Sequence, residues 1–267
     1  MLYKIKLDTK FKGYPSITAE IEDIIKKSGI NEGYFIIFSK DSTIGFGITS
    51  FWDKRGLDDL VDEIDRSFPA RVSYKNQQSP NIASGTVKSA FIGANDLIFI
   101  KNGKPLLGSS QGVVLLEFDG PRARECYIKL VEKDIYMQKC DILTTKMGMH
   151  DLTEDIKQVI EKSNVKNGFC HISMPHSTAG ILLCKNEKNA LEDIMCDIER
   201  IVPTRVDFKH RETAADAGGH VKTVFSGSQI SLPIQAGELM LEKDQSVVFS
   251  EFDGPRPRSF FVGVVAD

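Results

Sequence analysis

The chain carries one stretch of sequence twice. "YKNQQSPNIASGTVKSAFIG", residues 74–93, returns as "FKHRETAADAGGHVKTVFSG", residues 208–227. The match extends outward at an offset of 134 or 135 residues: "GYFIIFSKDSTIGFGI" pairs with "GFCHISMPHSTAGILL", "GLDDLVDEIDRSFPARVSY" with "ALEDIMCDIERIVPTRVDF", and "VVLLEFDGPRAR" with "VVFSEFDGPRPR". Each copy has the size of an ordinary domain. Two similar domains in tandem, residues 1–133 and 134–267, are therefore expected, not a solenoid of short units.

The same elements can be read in both copies. A short alternating strand (residues 2–7 and 136–142) leads to an amphipathic helix with apolar residues at helical spacing, Ile21, Ile24 and Ile25 in one copy and Ile156, Val159 and Ile160 in the other. Asp151 and Glu154 fit a capping box. After two apolar strands comes a second helix, with stripes Leu57, Leu60, Val61, Ile64 and Leu191, Ile194, Met195, Ile198. Turns at Asn102-Gly103 and Ala236-Gly237 separate short closing strands, the last of which follows "EFDGPR". The pattern predicts an α+β class: two tandem domains, each a mixed, mostly antiparallel sheet with two main helices.

Charge and composition exclude several classes of partner. A net charge of -3, with basic and acidic residues intermixed, gives no footprint for nucleic acid. No apolar run approaches the ~20 residues that span a bilayer, and the first residues lack a signal-peptide core, so no membrane partner and a cytoplasmic location are expected. The five cysteines are odd in number and form no CxxC pair, which argues against a disulfide framework and a thiolate zinc site.

Duplication supplies an internal control. Residues present in both copies are explained by the fold they share, whereas a reactive group in one copy lacks that explanation. "EFDGPR" is of the first kind and reads as an Asp-Gly-Pro turn at a strand end. Its functional alternative places Arg256 and Arg258 on one strand face, binding an anion through their planar forks. Ser177 and Thr178 recur as Ser42 and Thr43, and read as backbone-shaping or ligand-bonding groups. The histidines are of the second kind, since all five lie in the second copy. His176 stands where the first copy has Asp41, and His210, Asp216 and His220 stand where it has Asn76, Ile82 and Thr86. Three imidazoles from separate segments, with Asp216 nearby, fit a divalent-metal site with an open coordination position. They equally fit hydrogen-bonded residues of a cleft without metal, and spacing alone leaves both readings open. His150 is expected to be exposed near a helix start, and His171 to point to the strand face opposite His176.

"HSTAG", the later "H…AADAGGHVKTVFSG" and "EFDGPRPR" together resemble the bacterial and archaeal YjbQ family, whose members are described as secondary thiamine-phosphate synthases. The resemblance implies a compact α+β domain, a homo-oligomer (often a trimer), and a cleft lined by His176, His210 and His220 that holds a divalent metal, with zinc the first choice. It further implies a small phosphorylated substrate. In that reading Asp216, His210 and His220 are catalytic, and Ser177, Thr178, Lys222, Gln245 and Arg256 contact substrate. A metal-dependent phosphoester hydrolase and a non-catalytic module for small anions are the alternatives. The family's Gly-Thr-Trp-Gln run is reduced here to "EKDQS", which keeps Gln245 without the aromatic residue. The first copy resembles the family in its frame and lacks its chemistry.

Overall fold

The computed structural model describes residues 1–76, 79–205, 207–210 and 213–267, with Ala214 described by its backbone alone. The chain divides into two compact units, Met1–Lys133 and Asp134–Asp267. In the first unit the elements run β1 (Leu2–Asp8), α1 (Thr18–Ser28), β2 (Gly33–Ser39), β3 (Ile44–Ser50), α2 (Lys54–Ser67), α3 (Pro80–Ile92), β4 (Asn95–Lys101), β5 (Lys104–Pro105), β6 (Gln111–Glu117) and β7 (Ala123–Glu132). The second unit repeats them as β8 (Tyr136–Leu143), α4 (Thr153–Ser163), β10 (Gly168–Ser173), β11 (Ala179–Lys185), α5 (Lys188–Ile201), α6 (Ala214–Ser226), β12 (Gln229–Gln235), β13 (Glu238–Leu239), β14 (Gln245–Glu251) and β15 (Pro257–Ala266), and adds β9 (Gly148–Asp151).

Both units build an antiparallel five-stranded sheet in the same order, β1-β7-β2-β4-β5 and β8-β15-β10-β12-β13. A smaller antiparallel sheet accompanies each: β3-β6 in the first unit, β11-β14-β9 in the second. Where β9 pairs with β14, the first unit has only a single bridge, Ser16 to Val114. The two-residue period of β2 sends Phe35 and Ile37 into the core and leaves Ile36 and Phe38 outside. Ile21 and Ile25 of α1 close over them, as Ile156, Val159 and Ile160 of α4 close over Cys170, Ile172 and Phe260. Each such fully buried side chain stabilises its unit by roughly 1.5–3 kcal/mol of transfer free energy.

Among the described residues each unit has a third helix beside the two main ones expected. The third is the repeated segment that opens the sequence: α3 in one copy, α6 in the other. Ser79 accepts from the Ile82 N–H at 3.3 Å and Thr213 accepts from the Asp216 N–H at 3.0 Å, so both helices begin on a hydroxyl cap. Gly218 and Gly219 obscure the helical period of α6 in the sequence, since glycine disfavours helix interiors. Packing explains Gly219: a Cβ there would lie 3.0 Å from Thr178, so only glycine lets the helix approach the start of β11 so closely.

Two local expectations change. Asp151 accepts from the Thr153 N–H at 2.8 Å, but Glu154 pairs with Lys157 and does not reach back, so the reciprocal capping box does not form. The strand that the run "RVDFK" before His210 suggests is not formed by residues 207–210, and Val206 lies outside the described residues.

Candidate metal centre

Reading residues 214–226 as a helix changes the chemistry of the motif. Asp216 and His220 are four apart on α6 and so share one of its faces. His210 reaches them from the preceding segment: its Nε2 lies 2.6 Å from Asp216 Oδ2, and His220 Nε2 lies 3.5 Å from the same oxygen. The two imidazole rings are 5.5 Å apart between centroids. Among the described residues, the donor atoms of His210, Asp216 and His220 all fall within 4.8 Å of one another.

The surroundings fix the orientation of the group. His220 Nδ1 donates to the Ser177 carbonyl at 3.0 Å, which fixes the ring with Nε2 towards Asp216. Burial opposes ionisation of Asp216, but the hydrogen bonds and charge of His220 and His210 outweigh it and hold the carboxyl at about 2. Asp216 also sits in the first turn of α6, where the helix dipole favours an anion.

Among the described residues His176 is not part of this group; its Nε2 accepts from the Ser259 N–H at 2.9 Å. Burial, and then the positive charge of Arg258, hold that ring down at about 4. Asp216 takes the third place instead, and the signal for it was the helical i, i+4 spacing to His220.

The expected substrate contacts separate in the same way. Lys222 is two residues from His220, hence on another side of the helix; it is buried against Glu199 at 2.5 Å and Thr204 at 2.9 Å. Its first-half counterpart Lys88 pairs with Asp65 likewise, so this lysine belongs to the shared frame. Gln245 closes a turn by accepting from the Glu242 N–H at 3.2 Å, as Gln111 does from Gly108 at 2.8 Å. Arg256 and Arg258 do not act as a pair. Arg258 is buried, forks onto Glu251 at 2.7 and 2.5 Å and donates to Thr178 Oγ1 at 3.0 Å, while the half-exposed Arg256 binds Asp253. Burial raises the pKa of Asp253; its partner Arg256 opposes that rise, and the negative charge of Asp216 adds to it. Ser177 contributes its carbonyl to His220.

His171 lies on β10, buried between Ser231 at 2.8 Å and Gln229 at 2.7 Å, and burial lowers it to about 4. His150 is half-buried on β9, not exposed, 6.2 Å from the Phe249 ring.

Sequence reasoning missed the hub beneath the centre. Glu251 accepts from Arg258, from Thr144 Oγ1 at 3.0 Å and from the Asp253 N–H at 3.0 Å. Glu117 accepts from Arg124, from Thr9 Oγ1 at 2.6 Å and from the Asp119 N–H at 2.8 Å. The Glu and the second Arg of "EFDGPRxR" were the signal, and the turn residues between them took the attention.

Fold and site together define a tandem α+β protein in which one copy alone gathers two imidazoles and a carboxylate. The family described as "UPF0047 protein YjbQ-like" matches residues 3–133 and again 138–267, and the chain belongs to that family as two copies in tandem. UPF0047 proteins similar to it include one from Methanothermobacter thermautotrophicus (31% identical over 49% of this chain and 92% of that protein), one from Methanocaldococcus jannaschii (36%, over 44% and 84%) and YugU of Bacillus subtilis (33%, over 43% and 86%). A YjbQ-like protein of unknown function from Sulfolobus solfataricus has a solved structure that aligns with a TM-score of 0.48 and 29% identity, covering 50% of this chain and 99% of its own. Among the described residues no helix is long and apolar enough to cross a membrane.

Proposed function

We propose that the second half is a metal-dependent catalytic domain acting on a small phosphorylated substrate. The observation that carries this reading is the convergence of His210, Asp216 and His220 donor atoms within 4.8 Å, in the half that alone has histidines. Two imidazoles and one carboxylate suit zinc, and leave coordination positions for water or substrate. The backbone carbonyl on His220 Nδ1 is the kind of support metal-bound histidines have. An ion would take the place of the proton that His210 and Asp216 now share.

A divalent ion held here supplies a concentrated positive charge for phosphate oxygens. Arg256, half-exposed and paired with Asp253, adds a planar donor for the same group. Asp216 orients both histidines through one oxygen. In the thiamine-phosphate synthase reading, a thiazole phosphate is joined to a pyrimidine and pyrophosphate departs. The positive field would then stabilise the departing charge.

The test is elemental analysis of the purified full chain beside Asp216→Ala and His220→Ala. About one ion per chain, lost in both variants, supports the reading; no ion in any sample, even with divalent metals supplied, defeats it. Given metal, joining of the two thiamine precursors identifies the synthase. Hydrolysis of a phosphoester without an acceptor identifies a hydrolase, and retention of ligand without product identifies a binding module.

A further inference from the structure

The first half holds a cleft of its own whose charge differs from that of its counterpart. A cavity of about 300 Å³, at the lower end of the range for small-molecule sites, is lined by Lys12, Lys88, Asp65 and Asn81, with Phe11 and Phe118 among its apolar wall. Lys12 and Lys88 both pair with Asp65, so two ammonium groups share one carboxylate. Glu117, which also lines the cavity, is no partner for them: Arg124, Thr9 and the Asp119 N–H occupy its oxygens. Burial opposes ionisation of Asp65, yet the two lysines hold its pKa below the ordinary value. Two ammonium groups thus meet a single carboxylate beside apolar rings.

The second half is arranged differently, with Lys146 at the position of Phe11. Glu199 stands for Asp65 and is met by one lysine, Lys222, and by Thr204, while Met147 occupies the position of Lys12. Lys12 is also held in an unusual way. Its φ of 51° is left-handed, a conformation costing a non-glycine residue of order 1 kcal/mol, and its ammonium lies 5.7 Å from the centroid of the Phe11 ring. The loop thus holds a lysine, against backbone preference, at the mouth of the cavity.

We propose that this first-half cleft binds a small organic anion with an apolar body, an aromatic carboxylate or phosphate ester, its charge between Lys12 and Lys88 and its ring against Phe11 and Phe118. The inference does not depend on a metal in the second half.

Calorimetric titration of the full chain with phenyl phosphate and with benzoate, beside neutral benzyl alcohol, tests it. At least one anion should bind more tightly than the alcohol. Lys12→Met, which installs the second-half residue, should weaken it about tenfold, a loss of one charge-assisted contact, and Lys12→Arg should retain binding. Bound anion should also protect Lys12 from acetylation, read by mass spectrometry. Absence of binding at millimolar ligand, equal affinity in Lys12→Met, or loss in His220→Ala with Lys12→Met unaffected would each overturn the proposal; the last would place the anion in the second half.

Discussion

The two halves agree beneath their clefts and differ within them. In each, a buried arginine forks onto a buried glutamate and reaches a threonine: Arg124 to Glu117 and Thr43, Arg258 to Glu251 and Thr178. One step outward, Arg124 binds Asp41, whereas the second half has His176 turned to Ser259. On α3, Ile82 and Thr86 stand at the positions of Asp216 and His220 in the repeat, and Thr86 Oγ1 merely bonds back to the Ile82 carbonyl at 2.9 Å. The duplicated fold requires the hub; nothing in it requires the histidines.

The strongest way to break this comparison is to remove the hub from either half. Arg258→Met strands Glu251, which is wholly buried, and Arg124→Met does the same to Glu117. Removing one partner of a buried ion pair costs about 3–5 kcal/mol. Both variants should lose stability of that order in urea denaturation. A large loss in one half alone would show that the hub is no longer a shared requirement.

A smaller effect comes from a histidine that replaces an apolar residue. His171 stands where the first half has Ile36, and burial holds it at about 4, as burial and Arg258 hold His176. An unfolded histidine titrates near 6.5. Between those values the unfolded chain binds more protons than the folded one, so the stability these rings confer is complete above about pH 6.5 and is lost as pH falls towards 4. Each ring accounts for up to about 3 kcal/mol of that dependence. His171→Ile should flatten the fall in thermal midpoint between pH 6.5 and 4.5 without abolishing it, since His176 remains. An unchanged slope would mean that His171 titrates normally.

The repeat, the apolar periods of α1, α2, α4 and α5 and the turns were legible because each is a local pattern. The third helix was not. Its glycines depress helical propensity, and the reason Gly219 stands there, close approach to Thr178, is a tertiary contact no local window contains. That omission carried over to the site. Without the helix, Asp216 and His220 were merely near in sequence, and His176 seemed the better third ligand. The position of Lys222 on the same helix, two residues on, likewise decides that it meets Glu199 and not the centre.

The smallest expected effect separates frame from chemistry most sharply. Thr213 caps α6 through the N–H of Asp216 itself, and Ser79 caps α3 through that of Ile82. Replacing either by alanine should cost about 1 kcal/mol of stability, measured by thermal melting. Only Thr213→Ala, however, frees the turn that presents a donor to the centre. If the proposed ion is bound, this variant should retain it less tightly against a chelator, while Ser79→Ala retains it as the unaltered chain does. Equal retention in the two variants would mean that Asp216 is positioned by His210 and His220 alone, and that the helix cap belongs entirely to the shared frame.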